Sequence, residues 1–496
     1  MTSFVPNCLG RRAQLAGILG TFVVAFGTAR CSNSGPTRPA QATLRVGVGG
    51  LPQQAAQSGL RQLTANASLE ALITPQEDGR LRPSLAKGWS VAPDGLSVTL
   101  DLQRAKFHDG TPVTATVVAQ ALTRALPPTM GPAYDDVKQI AAVNDHQVRI
   151  DLRQPSQLVV EALDTPIQKP GSSSVGTGPY LASPTNSAEL MANPDYYLGR
   201  PNIDRIALIP YPNVRAAWAE LLRGNIDMLY EANIDALDSL QASKDVAVYS
   251  YVRHYQYMIV FGSHTAVFKS PDVRRELSAA IDREAILKQV LNGHGVSSTG
   301  PVPPPHWALA SNAPQLRFDP QLAARLRARH LKFTCLVPAD SVYERIALAV
   351  KQQLAAASVD MQVIEAPQEQ VARAAANNND FDALLGDIIS GPSLFRSYRH
   401  WHSKMTLNPR PIESTAIDAA LDQVRHAASD DAYQAGVTAF QRAMVDDPQA
   451  IFLIWGERAR AVSRKFDVIT PEKGRDVLIN LRLWRPAGTQ QVVSRD

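Results

Sequence analysis

The chain has 496 residues, 45% of them hydrophobic and 19% charged, with a formal charge of +4. One hydrophobic core rarely grows past about 250–300 residues, so two or more domains are expected. Three cysteines exclude a disulfide framework, and a charge this close to neutral argues against a nucleic-acid partner.

Arg11 and Arg12 precede an apolar run, Ala13 to Gly27, broken only by Gln14 and Thr21. A charged start followed by a short apolar core is the layout of a secretory signal. The alternative is a membrane anchor, but spanning a bilayer takes about 20 apolar residues, and this run is shorter. No later segment is long and apolar enough to span. Cys31 ends the segment where a bacterial lipoprotein signal carries its lipidated cysteine, with Arg30 in place of the usual Gly or Ala. Residues 1–31 are therefore expected to be a signal peptide with Cys31 as the lipidation site. Residues 32–42 are small, polar and Pro-bearing, the composition of a flexible tether. Removing Arg11, Arg12 and Arg30 from +4 leaves +1 on the mature chain. Cys335, in the apolar stretch Leu331 to Val337, is expected to be a buried small residue.

Thr43 to Gly49 is expected to be the first strand, and Ser68 to Ile73 a short helix. Pro93-Asp94-Gly95 is a turn tripeptide, since Pro presets one φ and Gly accepts a positive one. Leu96, Val98, Leu100 and Leu102 then alternate with polar residues, which predicts a half-buried strand. After the turn His108 to Pro112, Thr114 is placed to cap a helix carrying Val117, Val118, Ala121 and Leu122. Val137 to Leu152 reads as two strands joined at Asn144-Asp145, and Leu158 to Leu163 as a helix or a strand. The Gly/Ser segment 172–180 lacks the Lys and following helix of a phosphate loop. Gly224 suits a helix C-terminus. Phe268 to Leu291 reads as helix from Ser270-Pro271-Asp272 onward, with its charged residues on a salt-bridged surface. Helices are also expected from Asp319-Pro320 and over 343–357, 417–424 and 433–444, with strands over 361–364, 381–385 and 451–455 and a loop from Gly386 to Leu394. Such alternation implies mixed α/β domains.

Several stretches resemble the bacterial extracellular solute-binding proteins of family 5, the peptide- and nickel-binding subunits of ABC importers. Their signature runs roughly L-x-P-x-L-A-x-x-W, then D-G, then F-H-D-G-x-P-x-T-A-x-D-V. It is met at Leu81, Pro83, Leu85, Ala86, Trp89, Asp94, Gly95, Phe107, His108, Asp109, Gly110, Pro112, Thr114, Ala115 and Val118, with Val117 in place of the second Asp. Later matches are Gly176-Thr177-Gly178-Pro179-Tyr180, Asn193, Tyr196, Pro201, Asp204, Gly224, Asp227, Val273, Arg274, Leu277 and Ala280-Ile281-Asp282-Arg283. The resemblance implies an α/β, two-lobed periplasmic-binding-protein clamshell (type II, cluster C) with an extra small subdomain. Lobe I would come from 43–58, 173–250 and 463–496, the small subdomain from 59–172, and lobe II from 251–462.

Peptide-binding members of the family present an aspartate after the strand that is FDALL here (381–385), which pairs with the peptide's α-ammonium. Aligning on Pro392 sets Ile388 at that position, with Asp387 one residue before it. The implied ligand-binding residues are Asp387, Ile388, Ser390, Arg399, Trp401 and Trp455. Asp387 is equally read as a cap of its own loop. The cluster Arg396 to His402 (RSYRHWH) can be a ligand surface for anions, aromatics or a metal complex, or a solvated helix face. Trp455 and the alternating Tyr251, Tyr255 and Tyr257 can equally be packing residues.

The resulting expectation is an exported substrate-binding protein of an ABC importer, periplasmic or at the cell surface and held by a lipid anchor. It would be monomeric, take a peptide or peptide-like small solute by hinge closure and pass it to a permease. No cofactor, metal or nucleic acid is implied. The alternative is a nonimporting surface lipoprotein on the same fold, acting as a sensor or regulator. An enzyme is not expected, because neither G-x-S-x-G nor H-E-x-x-H occurs.

Overall fold

The computed structural model describes residues 41–49, 63–172, 175–183, 186, 188–232, 234–377, 381–405, 412–471 and 475–489. The expected signal, its Cys31 and most of the tether lie outside them. In chain order the strands are Thr43–Val48 (β1), Glu70–Ala71 (β2), Ile73–Pro75 (β3), Leu81–Pro83 (β4), Ala86–Val91 (β5), Ser97–Leu102 (β6), Val137–Asn144 (β7), Gln147–Leu152 (β8), Pro166–Ile167 (β9), Tyr180–Ala182 (β10), Glu189–Ala192 (β11), Arg205–Pro210 (β12), Met228–Ala232 (β13), Val246–Phe261 (β14), Gly295–Ser297 (β15), Lys332–Pro338 (β16), Asp360–Ala366 (β17), Ala383–Ile389 (β18) and Ala450–Ser463 (β19). The principal helices are Ala115–Met130 (α1), Gln157–Glu161 (α2), Val214–Leu222 (α3), Ile234–Gln241 (α4), Pro271–Ala279 (α5), Arg283–Val290 (α6), Ser341–Ala356 (α7), Leu394–Trp401 (α8), Thr415–Arg425 (α9) and Asp430–Asp446 (α10).

The large sheet has the order β10-β11-β12-β1-β13-β19-β14-β18-β16-β17, with β15 added against β19. Two long antiparallel strands, β14 and β19, make it continuous. Val246 to Val252 pair with Ser463 to Glu457, the register then shifts, and Gln256 to Val260 pair with Trp455 to Ala450. On one side of that shift β13 joins β19 at Ala459 to Val462. On the other, β18 joins β14 from Tyr255 to Phe261. The sheet is thus two half-sheets sharing one crossing pair, with the ladder broken where they meet.

Alternation along the strands sends successive side chains to opposite faces. Tyr257, Ile259 and Phe261 join Ala383, Leu385, Cys335 and helices α5 to α7 in one core. Met258 and Val260 point the other way, into a core with Phe452, Leu394, Phe395, Ile417 and Phe440. That second core continues without interruption into the small antiparallel sheet β5-β6-β8-β7 and its helix α1, through Leu100, Val118, Leu122 and Ile150. Cys335 is fully buried, and burial pushes its thiol up to about 12.

Most of the stretch from Leu81 to Val118 folds as read. The β6 strand buries Val98, Leu100 and Leu102, but it starts at Ser97, which is buried, and Leu96 before it is exposed in the turn. The Thr114 hydroxyl accepts from the Val117 amide at the start of α1. Gly95 and Gly110 take φ of 71° and 82°, the left-handed region where a Cβ would be strained. Residues 157–161 resolve as helix.

Other expectations need correction. Residues 63–68 are helical, and the stretch Ser68 to Ile73 supplies β2 and the start of β3 instead of a helix. Pairing with β9 and β4 holds it extended, a tertiary override of local propensity. The helical stretch after Ser270 is two helices, because the Asp282 side chain accepts from the Ala285 amide and caps α6. Arg274 and Arg283 are not surface residues; both are buried. Arg274 Nε donates to the Pro448 carbonyl at 2.7 Å, and Arg283 Nε donates to that of Phe452 at 2.6 Å. Strand β18 runs on to Ile389, into the segment read as loop.

Candidate functional site

Three groups of side chains surround the shift in the ladder. The first lies on the face of Tyr257. In the register Tyr257 opposes Asp387 and Gln256 opposes Ile388, so Asp387 and Ile388 project to opposite faces. Asp387, 22% exposed, lies 3.6 Å from Nη2 of Arg458 on β19. Arg458 Nε is 2.8 Å from Glu231 on β13, and its Nη1 donates to the Tyr257 hydroxyl at 2.9 Å. Tyr343 of α7 hydrogen-bonds Asp387. Burial alone would lower the Arg458 pKa, but Tyr257, Glu231 and Asp387 outweigh it and hold the guanidinium charged. Burial and the Asp387 charge together raise the Tyr343 phenol well above its usual range. One cation therefore bridges a carboxylate from each half-sheet.

The second group is on the opposite face. Ile388, Gln256 and Trp455 stand side by side on adjacent strands. Trp455 is 1% exposed and pairs with Val296 of β15. Gln256 Nε2 donates to the Gly300 carbonyl at 2.8 Å and to the Ser298 hydroxyl.

The third group follows β18. Ser390 is buried, and its carbonyl accepts from the Ser397 hydroxyl at 3.3 Å. Ser393 caps α8, accepting from the Phe395 amide. Trp401 packs edge-on against Phe452 with ring centres 5.7 Å apart. Tyr398 accepts from Arg425 at 3.0 Å. His402 lies buried beside Asp418 and Asp422. Arg396 reaches Asp164 at 3.3 Å. Arg399 is half-buried, its guanidinium 5.7 Å from the Phe395 ring, and burial together with Arg396 lowers its pKa. The cluster from Arg396 to His402 is thus a packed helix, not a solvated face.

The structure brings Ile388 and Trp455 onto one face, gathers Ser390, Arg399 and Trp401 on one loop and helix, and sets Asp387 apart on the other face with Arg458. Sequence reasoning missed Arg458 and Glu231. A charged residue within the apolar strand from Ala450 to Val462 was the available signal, since such a charge needs a partner. Among the described residues, no group of three or more His, Cys, Asp or Glu side chains could hold a metal ion. Nor is any helix among them long and apolar enough to cross a membrane.

Two half-sheets carried on one crossing pair of strands, with a third, smaller sheet beside them, define a two-lobed solute-binding protein of the periplasmic type. The chain belongs to the bacterial extracellular solute-binding proteins, family 5, whose model matches residues 80–404. It is similar to the probable D,D-dipeptide-binding periplasmic protein DdpA of Escherichia coli K12, 24% identical over 425 residues, or 78% of this chain and 82% of that one. Against heme-binding protein A of Haemophilus influenzae it is 26% identical over 293 residues, half of this chain and 53% of that one. The fold matches that of NikZ from Campylobacter jejuni, solved in complex with Ni(L-His). The TM-score is 0.77 at 20% identity, covering 89% of this chain and 99% of that one. These relatives are binding proteins by name, and DdpA is named as periplasmic.

Proposed function

We propose that this chain is the extracytoplasmic substrate-binding subunit of an ABC importer, capturing a peptide-like solute by hinge closure and delivering it to a permease. Family membership supports the role. The single observation that carries the closing motion is the register shift shared by β14 and β19, with ladders to different half-sheets on either side. Lobe I comprises 43–58, 173–250 and 463–496, lobe II 251–462 and the small subdomain 59–172, with the hinge at Val252–Gln256 and Trp455–Glu457. Residues 1–31 act as an export signal, Cys31 carries the lipid, residues 32–42 tether the monomer, and no catalysis is performed.

The solute is taken on the face of Ile388 and Trp455, with Ser390, Arg399 and Trp401 following on the next loop and helix, while Asp387 on the other face does not touch it. Asp387 already shares the Arg458 guanidinium and a Tyr343 hydrogen bond. This favours a solute with a blocked or absent amino end over a free peptide, whose desolvated ammonium would need its own counter-charge. Native mass spectrometry of the fresh protein identifies retained cargo, and calorimetry compares free with N-acetylated dipeptides. Binding of the acetylated series at least about tenfold tighter, or 1.4 kcal/mol, is expected. Tighter binding of the free series would sink this preference. A retained solute with no uptake defect on gene deletion would point to the nonimporting sensor instead.

A further inference from the structure

The small subdomain reaches the specificity segment directly. Glu161, at the C-terminal end of α2, is buried and lies 232 positions before the residue that caps α8. One carboxylate oxygen, Oε2, accepts from the Ser393 hydroxyl at 2.5 Å and from the Phe395 amide at 2.8 Å. The other, Oε1, accepts from the Tyr433 hydroxyl of α10 at 2.6 Å. The first turn of a helix has amide donors with no partner inside the helix, and here a residue of α2 supplies an acceptor beside the Ser393 hydroxyl. A carboxylate at that end also suits the helix dipole.

Two further acids of the subdomain grip α8 and its neighbour α9. Asp164 holds Arg396 of α8 at 3.3 Å. Asp136, with no exposed surface, takes Arg425 of α9 bidentately, both bonds 2.7 Å, and Arg425 in turn donates to Tyr398 of α8. Ser393 and Ser397 hold this entry from within the segment, the first accepting from the Phe395 amide and the second donating to the Ser390 carbonyl. Glu161 adds a second acceptor from outside, on the capping hydroxyl and on the same amide.

We propose that Glu161 is a positioning residue for the solute site: it fixes the first turn of α8 and the loop Ser390 to Ser393, and through them sets where Arg399 and Trp401 stand, without touching the solute. The inference rests on the reading that this segment meets the solute. It gives the small subdomain a part in specificity that its distance in sequence conceals.

The test uses the full mature chain with Glu161→Ala and Glu161→Gln. In Gln the amide oxygen can keep the bonds from Ser393 and Phe395, while its NH2 donates to the Tyr433 hydroxyl. Hydrogen exchange of the ligand-free protein, read at residues 394–401, is expected to speed about tenfold or more in Ala and to recover most of its protection in Gln. Amides of β14 and β19 should keep theirs. Calorimetry with free and N-acetylated di- and tripeptides should show the same order, a loss of about tenfold or more for Ala and a partial rescue for Gln. Unchanged exchange at Phe395 in Glu161→Ala overturns the proposal. So does faster exchange with unchanged affinity, provided that Arg399→Ala or Trp401→Phe weakens binding. If those two variants leave affinity untouched, the site reading fails and the exchange measurement alone decides the positioning role. Should Glu161→Ala not fold, Ser393→Ala and Tyr433→Phe each remove one donor to the same carboxylate, and the same two readouts apply.

Discussion

Where the small subdomain meets the loop and strands around β10 to β12, hydrogen bonds join it and, among the described residues, only Val175 and Tyr197 pack at the margin of its core; where it meets α8 to α10, it shares a continuous apolar core. On the first side Glu70 accepts from Thr177 at 2.8 Å, Tyr196 at 2.7 Å and Tyr197 at 3.0 Å, and His108 Nε2 lies 3.0 Å from the Gly178 carbonyl. On the second side Leu72, Val159 and Leu163 belong to the same core as Leu394, Phe395 and Tyr398, with buried charges set inside it. Hydrogen bonds exchange with water at a net gain of only about 0.5–1.5 kcal/mol each. A buried ion pair adds little when intact but costs about 3–5 kcal/mol when one partner is deleted. The two contacts should therefore fail in different ways.

The largest expected effect is at Arg425. Arg425→Ala strands the Asp136 carboxylate without its bidentate partner, and urea unfolding should show a loss of about 3–5 kcal/mol. A loss under 1 kcal/mol would make this side no different from the other. Next comes pH. Burial raises the Glu70 pKa above its ordinary 4.5, only partly offset by Tyr196, Thr177 and Tyr197. Its contribution to stability is thus complete below about 4.5 and lost as pH climbs through the raised value. At Asp136 burial works upward too, but bonds from His426, Arg425 and Gln154 outweigh it and hold the pKa below its ordinary 3.8. That contribution is present above 3.8 and lost as pH falls through the lowered value. Thermal melts from about pH 5 to pH 8 should flatten in Glu70→Gln; an unchanged slope refutes the assignment.

Smaller effects sharpen the contrast. Tyr196→Phe removes one of three donors to Glu70 and should cost about 1 kcal/mol in the same unfolding assay. Thr114→Ala removes the α1 cap, whose hydrogen bond is long at 3.4 Å, and should cost about 0.5 kcal/mol, the low end for caps. A loss above about 2 kcal/mol would mean that the cap also stabilises the core beneath it.

What could be read from the sequence was local. The turn Pro93-Asp94-Gly95, the alternation of β6 and the Thr114 cap each need only a few neighbouring residues. The carboxylates that matter most pair across more than 200 positions, as Glu161 does with Ser393 and Asp136 with Arg425, and no local pattern announces them. Arg274 and Arg283 look like helix surface because their acceptors, the carbonyls of Pro448 and Phe452, arrive from 174 and 169 residues away. Asp387 and Ile388 differ by a single position, yet in a strand that step exchanges faces. Family likeness could indicate the segment but not the face, which the ladder between β14 and β18 decides.

The state of Cys335 has a practical consequence. A thiol with no exposed surface and a pKa near 12 stays protonated and out of reach of maleimides and methanethiosulfonates at neutral pH. A preparation starting at Ser32 keeps that cysteine alone. Two cysteines introduced on either side of the β14–β19 shift would then take up paramagnetic or fluorescent labels without a native competitor, so that interlobe distances can be measured directly in solution.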